Sequence, residues 1–274
     1  MKMASEITCL VSGKQALGSE EHVVPQWAKR SFSIPGPVTV NMGSQSEPVR
    51  AVRELRALNI TLDGHICKKC NSETLGRMEN SVAGILKPMV VSHQATRLTP
   101  ESQRLLATWA VKTVYLPELA VRQNFPGRPI EGFVASEAER AWLFSKLEPP
   151  PRSHVWLACW DAQSSSALMY EPSGVPLTTK SGPSLNGQLT SFALGYVAFQ
   201  VFSVDFVAAE SMGAIHWRPD MPPEPIGQAF TRIWPSPLVS KDLDWPGPAI
   251  AHDDWNSFVT WGGVLRNSQD PLVS

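Results

Sequence analysis

Two stretches in the middle of the chain carry apolar residues at helical spacing. Beyond Leu98, the side chains of Leu105, Leu106, Trp109, Ala110, Thr113 and Leu116 fall on one face, with Thr99 placed as N-cap and Pro100 at the first helical position. The pattern predicts a helix that stops at Pro117, where a lost N–H and a ring clash oppose continuation. A second helix is predicted from Ser136 as N-cap, with Glu137 and Glu139 in its first turn and Ala138, Trp142, Leu143 and Leu147 facing inward. It ends before the Pro149-Pro150-Pro151 break.

After residue 152 the apolar runs become β-rich. His154–Trp160 reads as a strand, residues 188–206 as two strands or one long strand bent at Gly195, and residues 229–234 as a further strand before Pro235. Asp253 or Asp254 is placed to cap a short helix over 255–264, and the Pro-rich stretches 222–225 and 235–248 read as surface loops. Trp156, Trp160, Phe192, Tyr196 and Phe199 lie in these runs, where aromatic residues build core more often than a ligand pocket. Cys159 reads as a small buried hydrophobe.

The N-terminal third has weaker periodicity. A short strand is expected over 7–12 and a turn over 13–19. A Ser-, Pro- and Gly-rich insertion is expected over 31–48 with a strand-like patch at 38–40, and extended structure over 50–62 leading to Ile66. A short helix is expected from Ser72 to Glu79, and Trp27 is expected to pack beneath the ribbon. The chain therefore reads as α+β, with a small module over 1–85 and a larger α+β domain over 86–274.

At 274 residues and 43% hydrophobic, the chain can bury a sizeable core and is not a disordered protein. Its formal net charge of −1 makes any nucleic-acid surface local, and Lys14, Lys29, Arg30, Arg50, Arg53, Arg56, Lys68, Lys69, Arg77 and Lys87 are the nearest candidates. No apolar run approaches the roughly eighteen residues of a membrane span, and Glu6 interrupts the start of a signal-peptide pattern. The four cysteines do not suggest a disulfide framework, so a reducing cytoplasmic setting without membrane partners is expected.

Chemistry concentrates in two places. Glu20-Glu21-His22-Val23-Val24-Pro25-Gln26-Trp27 sets a carboxylate against an imidazole, and Cys67-Lys68-Lys69-Cys70-Asn71 carries a metal-ligand spacing. Taken alone, a Glu-His pair is usually a satisfied surface pair, and Asn71 is well placed as an N-cap for the helix that follows.

In order and spacing, Cys9, then Glu-His-x-x-Pro-x-Trp, then Cys-x-x-Cys-Asn resembles the HNH (His-Me finger, ββα-metal) endonuclease motif over residues 9–79. The resemblance implies a two-stranded ribbon and a helix around one divalent cation, Mg²⁺ or Mn²⁺. It makes His22 the general base, late on the first strand or just after it, and Glu21 and Asn71 the cation's protein ligands. It implies hydrolysis of DNA phosphodiesters, most simply in double-stranded DNA, in restriction, phage defence or mobile-element biology. The resemblance also implies a structural Zn²⁺ on two Cys-x-x-Cys pairs, of which this chain keeps Cys67, Cys70 and Cys9 but has Ser12 at the fourth place. Serine is a poor zinc ligand, so either the site borrows one, with His65 a nearby candidate, or packing has replaced the metal. The runner-up from another class is a zinc-knuckle protein that holds nucleic acid or a partner without cutting. The sequence leaves oligomeric state open.

Overall fold

The strand that ends at His22 has almost no apolar alternation, and its neighbours are what make it a strand. β1 (Glu6–Thr8) pairs antiparallel with β2 (Gln15–His22), and after α1 (Gln26–Ser31) and the hairpin of β3 (Val38–Asn41) with β4 (Ala51–Leu55), β5 (Thr61–Cys67) closes a three-stranded sheet in the order β1-β2-β5. The turn expected over 13–19 is thus confined to its first residues, because Gln15 to Ser19 already belong to β2. Pairing is close at Gly18, where a Cβ would stand 2.9 Å from the Cα of Gly64, itself at φ +73°. A computed structural model describes residues 6–31, 38–41, 51–55, 61–124, 135–161, 168–178, 184–211, 229–235 and 241–251 of the chain.

From β5 the chain turns at once into helix. A π-helical turn (Cys70–Leu75) runs without a break into α2 (Gly76–Ser92), which continues well past the expected end near Glu79. After β6 (Thr96–Leu98) comes α3 (Pro100–Asn124), which continues through Pro117 where the sequence pattern had it stop. Prolines sit inside both helices, Pro88 and Pro117. Each costs about 3 kcal/mol in a helix interior. Full burial of Leu86, Met89 and Val90 around the first, and of Val114, Tyr115 and Leu116 before the second, offsets that cost at about 1.5–3 kcal/mol for each large side chain. The Thr99 hydroxyl accepts from the Ser102 N–H at 3.2 Å, as an N-cap should.

Two compact units result. The first takes Met1–Lys87 together with Lys112–Glu131, and the second takes Pro88–Val111 together with Gly132–Ser274. The sequence reading had a single boundary at 85/86, with no return of residues 112–131 to the N-terminal unit. The fold is α+β.

In the second unit, α4 (Glu137–Lys146) starts with a full capping box, in which the Ser136 hydroxyl accepts from the Glu139 N–H and the Glu139 carboxylate accepts from the Ser136 N–H. It stops at Leu147, whose φ of 53° is left-handed. An antiparallel sheet follows, built from β7 (His154–Trp160), β8 (Leu168–Thr178), β9 (Ser184–Leu194) and β10 (Val197–Val204). After the short α5 (Phe206–Ser211), it is completed by β11 (Phe230–Trp234) in the order β11-β7-β10-β9-β8.

Residues 188–206 are therefore mostly two strands, turned at Gly195 and Tyr196. Gly195 sits at φ +55°, and any Cβ there would meet the Val90 carbonyl. Trp109 of α3 packs edge-on to Phe192 and Phe199, which stack on each other 5.1 Å apart, so these aromatics with Trp156 and Trp160 are core. The stretch 235–248 is not all loop, since β12 (Leu243–Trp245) pairs with β6, and β13 (Ala249–Ile250) then adds to β7 in parallel. The expected helix over 255–264 and the stretch 222–225 lie outside the described residues. Among the described residues, no helix is long and apolar enough to cross a membrane.

Candidate functional site

Three cysteines from separate places in the first unit meet. Cys9 follows β1, Cys67 ends β5 and Cys70 opens the π-helical turn, and their sulfurs all lie within 4.8 Å of one another. A zinc ion holding thiolates at about 2.3 Å in a tetrahedron sets them about 3.8 Å apart, so these residues fit that ion. The Cys67 N–H points to Cys9 Sγ at 3.3 Å and the Cys70 N–H to Cys67 Sγ at 3.5 Å, the kind of support that stabilises thiolates in metal sites. Burial raises the Cys9 thiol, but backbone hydrogen bonds from Cys67, Ser12 and Val11, with the Ser12 hydroxyl, outweigh it and bring it down to about 6. Cys70 goes the other way, pushed up to about 11 by burial and by its neighbours Cys67 and Cys9. His65 does not join the cluster. Its backbone carbonyl instead accepts from the Leu10 N–H at 3.0 Å.

His22 is the last residue of β2 and is half-buried. Its Nδ1 accepts from Lys29 Nζ at 3.1 Å, and the Gln26 side-chain amide meets Nε2. Gln26 and Lys29 lie three residues apart on α1, so one face of a short helix addresses both ring nitrogens. Burial, then the Lys29 charge, hold the imidazole below its ordinary value against the opposing pull of Glu20 and Glu79. A ring kept neutral near pH 7 is what a general base requires.

Asn71 lies within the helical run that begins at Lys68, so its side chain is not an N-cap. Its amide donates to the Glu20 carbonyl at 2.7 Å and to Ser19 Oγ at 3.1 Å, while Ser19 Oγ in turn donates to the Ile66 carbonyl at 2.8 Å. Asn71 thereby ties the start of the helix to the strand that delivers His22.

Glu21 is 4% exposed. Its Oε1 is 2.5 Å from Lys112 Nζ, which is also 2.5 Å from Glu79 Oε1. The two carboxylates outweigh burial and hold the Lys112 ammonium firmly protonated, while burial pushes the Glu21 carboxyl up against the pull of Lys112. In strand geometry, neighbours such as Glu21 and His22 point to opposite faces. The Glu21 carboxylate is engaged by Lys112, and the Asn71 amide nitrogen by the Glu20 carbonyl and the Ser19 hydroxyl. Among the described residues, the group of three or more Cys, His, Asp or Glu close enough to share an ion is Cys9, Cys67 and Cys70.

No protein-family model, curated protein or solved structure matches this chain.

Sequence reasoning singled out neither Lys112 nor Glu79 as a site residue. Lys112 sits in an apolar helical run and is 2% exposed, and lysine at such depth needs a carboxylate partner, which was the available signal. Lys29 was counted only among the basic residues, although its place seven positions after His22 brings it to the ring. Lys14, Arg30, Lys68, Lys69, Arg77 and Lys87 are exposed, whereas the side chains of Arg50, Arg53 and Arg56 lie outside the described residues.

Proposed function

We propose that the first unit is an HNH-like nuclease module that hydrolyses DNA phosphodiester bonds, with His22 taking the proton from the attacking water. The observation that carries this reading is the Asn71 amide bonded to the Glu20 carbonyl at 2.7 Å, which joins the Cys-x-x-Cys-Asn segment to the Glu-His strand as a ββα-metal module would. A neutral imidazole at the strand end supports it, and Lys29 beside the ring supplies positive charge where a phosphate would approach. Exposed Lys68, Lys69 and Arg77 offer further phosphate contacts. In such modules a divalent cation offsets charge on the phosphate and leaving oxygen.

The second reading, binding of nucleic acid without cleavage, is favoured by one observation. Glu21, the carboxylate beside the base, is already taken by Lys112. Plasmid DNA incubated with the full chain in Mg²⁺, Mn²⁺, Ni²⁺ or EDTA separates the two. The nuclease reading expects nicked or linear product with a divalent ion, and His22→Ala should slow it by about 10²–10⁴-fold with little loss of DNA affinity. A shifted but uncut plasmid under every condition would establish the binding reading instead.

A further inference from the structure

The second unit sets a thiol beside an imidazole. Cys159, near the end of β7, is 2% exposed, and its Sγ lies 3.2 Å from Nε2 of His93. His93 follows the last residue of α2 with a φ of 51°, and the Gln94 N–H after it donates to the Pro88 carbonyl at 3.1 Å, closing the helix. Glycine is the least costly residue at such a left-handed cap, so a histidine there carries strain that the contacts of its ring must offset. The ring is fixed on two sides, stacked 4.8 Å from Tyr196 and edge-on to Trp245 at 5.4 Å. A nucleophile, a base within reach of it and further groups that orient the base make up the arrangement of covalent catalysis.

A recess of about 270 Å³ borders Cys159. Leu98, Leu157 and Ala229 give it a buried apolar wall, and the exposed Asp244 stands at its rim. Trp245 also lines it at 4% exposure, and its indole N–H has no acceptor among the described residues. A buried donor left unpaired costs about 1–3 kcal/mol, which an oxygen of a ligand held in the recess would recover.

We propose that Cys159 is the nucleophile and His93 its base in a second site, one that cleaves short uncharged acyl esters with the Trp245 indole N–H donating to the oxyanion. As Sγ attacks the acyl carbonyl its proton passes to His93 Nε2, a C–S bond forms, and the C–O bond to the alcohol breaks as the alcohol takes that proton. Water then cleaves the thioester, releasing the carboxylic acid and restoring the thiol. Burial and the Asp161 charge push the Cys159 thiol up to about 11, so the sulfur keeps its proton until it attacks and depends on the base to remove it. The recess is smaller than pockets for drug-sized ligands, which start at about 300 Å³, and its wall is apolar, which suits a short acyl chain. The Asp244 carboxylate at the rim repels anionic esters. This site stands whether or not the first unit cuts DNA.

The test is incubation of the full chain with p-nitrophenyl acetate. An early release of nitrophenolate stoichiometric with the chain is expected, with the acetyl group on Cys159 in peptide mass spectra and slow turnover afterwards. His93→Asn suits the left-handed cap but is too short to reach the sulfur, and should slow acetylation of Cys159 by about 10²-fold or more. Trp245→Phe keeps a ring beside His93 and removes the N–H. It should slow acetylation by about 10²-fold while leaving alkylation of Cys159 by iodoacetamide, which forms no oxyanion, at its original rate. An acetyl group found only on other residues would overturn the proposal. So would acetylation of Cys159 at the unaltered rate in His93→Asn, or a Trp245→Phe variant in which acetylation and alkylation change together or neither changes.

Discussion

The side-chain amide of Asn71 donates to the Glu20 carbonyl at 2.7 Å, bridging 51 positions of sequence between the first turn of a helix and the strand that presents His22. The bond uses the amide as a donor, and that decides which substitutions it tolerates.

Asn71→Asp should be as damaging as Asn71→Ala, because a carboxylate cannot donate to a carbonyl and would be repelled by it. Each should cost about 0.5–1.5 kcal/mol in urea unfolding, the net worth of a hydrogen bond whose acceptor stays open to water. A cap would tolerate Asp and a metal ligand would gain from it, so full stability and function in Asn71→Asp would overturn the donor role.

Lys112→Met should destabilise the fold by about 3–5 kcal/mol, since it strands the buried Glu21 carboxylate beside Glu79. Adding Glu21→Gln should recover part of the loss. Denaturant titrations of both single variants and the double form a cycle, and strict additivity would show that the ion pair carries no coupling.

The imidazole of His22 is held low by burial first and by Lys29 second. Lys29→Met should raise its titration midpoint toward the ordinary value, and an NMR titration of the ring would record this. The direction fixes the linkage: a depressed histidine contributes stability above its unfolded value near 6.5, lost as pH falls through the folded value. An unmoved midpoint in Lys29→Met would mean that the ammonium does not act on the ring.

His154, half-buried and stacked 5.7 Å from Trp156, has its imidazole pushed down to about 4 by burial and by Arg232. The fold should lose up to about 3 kcal/mol through this residue as pH drops from 6.5 toward 4, because the folded state resists the proton that the unfolded chain accepts. His154→Phe keeps an aromatic ring against Trp156 and removes the titration. Urea unfolding at pH 7 and pH 4.5 should show the variant gaining on the unaltered protein in acid, and parallel losses in both would sink the assignment.

Elements with a local cause were legible in the sequence. Ser136 and Glu139 cap α4 through bonds that any chain with those residues in that order can make, and Thr99 does the same for α3. The cysteine spacing also announced its cluster. What escaped notice depended on distant partners. β2 is written Gln-Ala-Leu-Gly-Ser-Glu-Glu-His, with no alternation to betray it; only the family resemblance implied a strand ending near His22, and its extent back to Gln15 comes from β1 and β5 on either side. Pro117 reads as a stop, and only packing around it explains why the helix continues. The partnership of Glu21 with Lys112 spans two elements far apart in sequence. No local rule would have preferred it over a bound cation.

The return of residues 112–131 to the first unit has a consequence for how this protein can be inherited or dismantled. A fragment cut after residue 87 holds every member of the sequence motif, yet it carries Glu21 and leaves behind Lys112, whose ammonium answers it. Such a piece would be expected to need a proton on Glu21, or a surrogate cation, to fold at all. A single crossover that moved the motif into another gene would carry its letters without the residue that lets its acidic neighbour be interior. The motif is thus contiguous as text and discontinuous as an object, and its transferable unit reaches at least to Lys112.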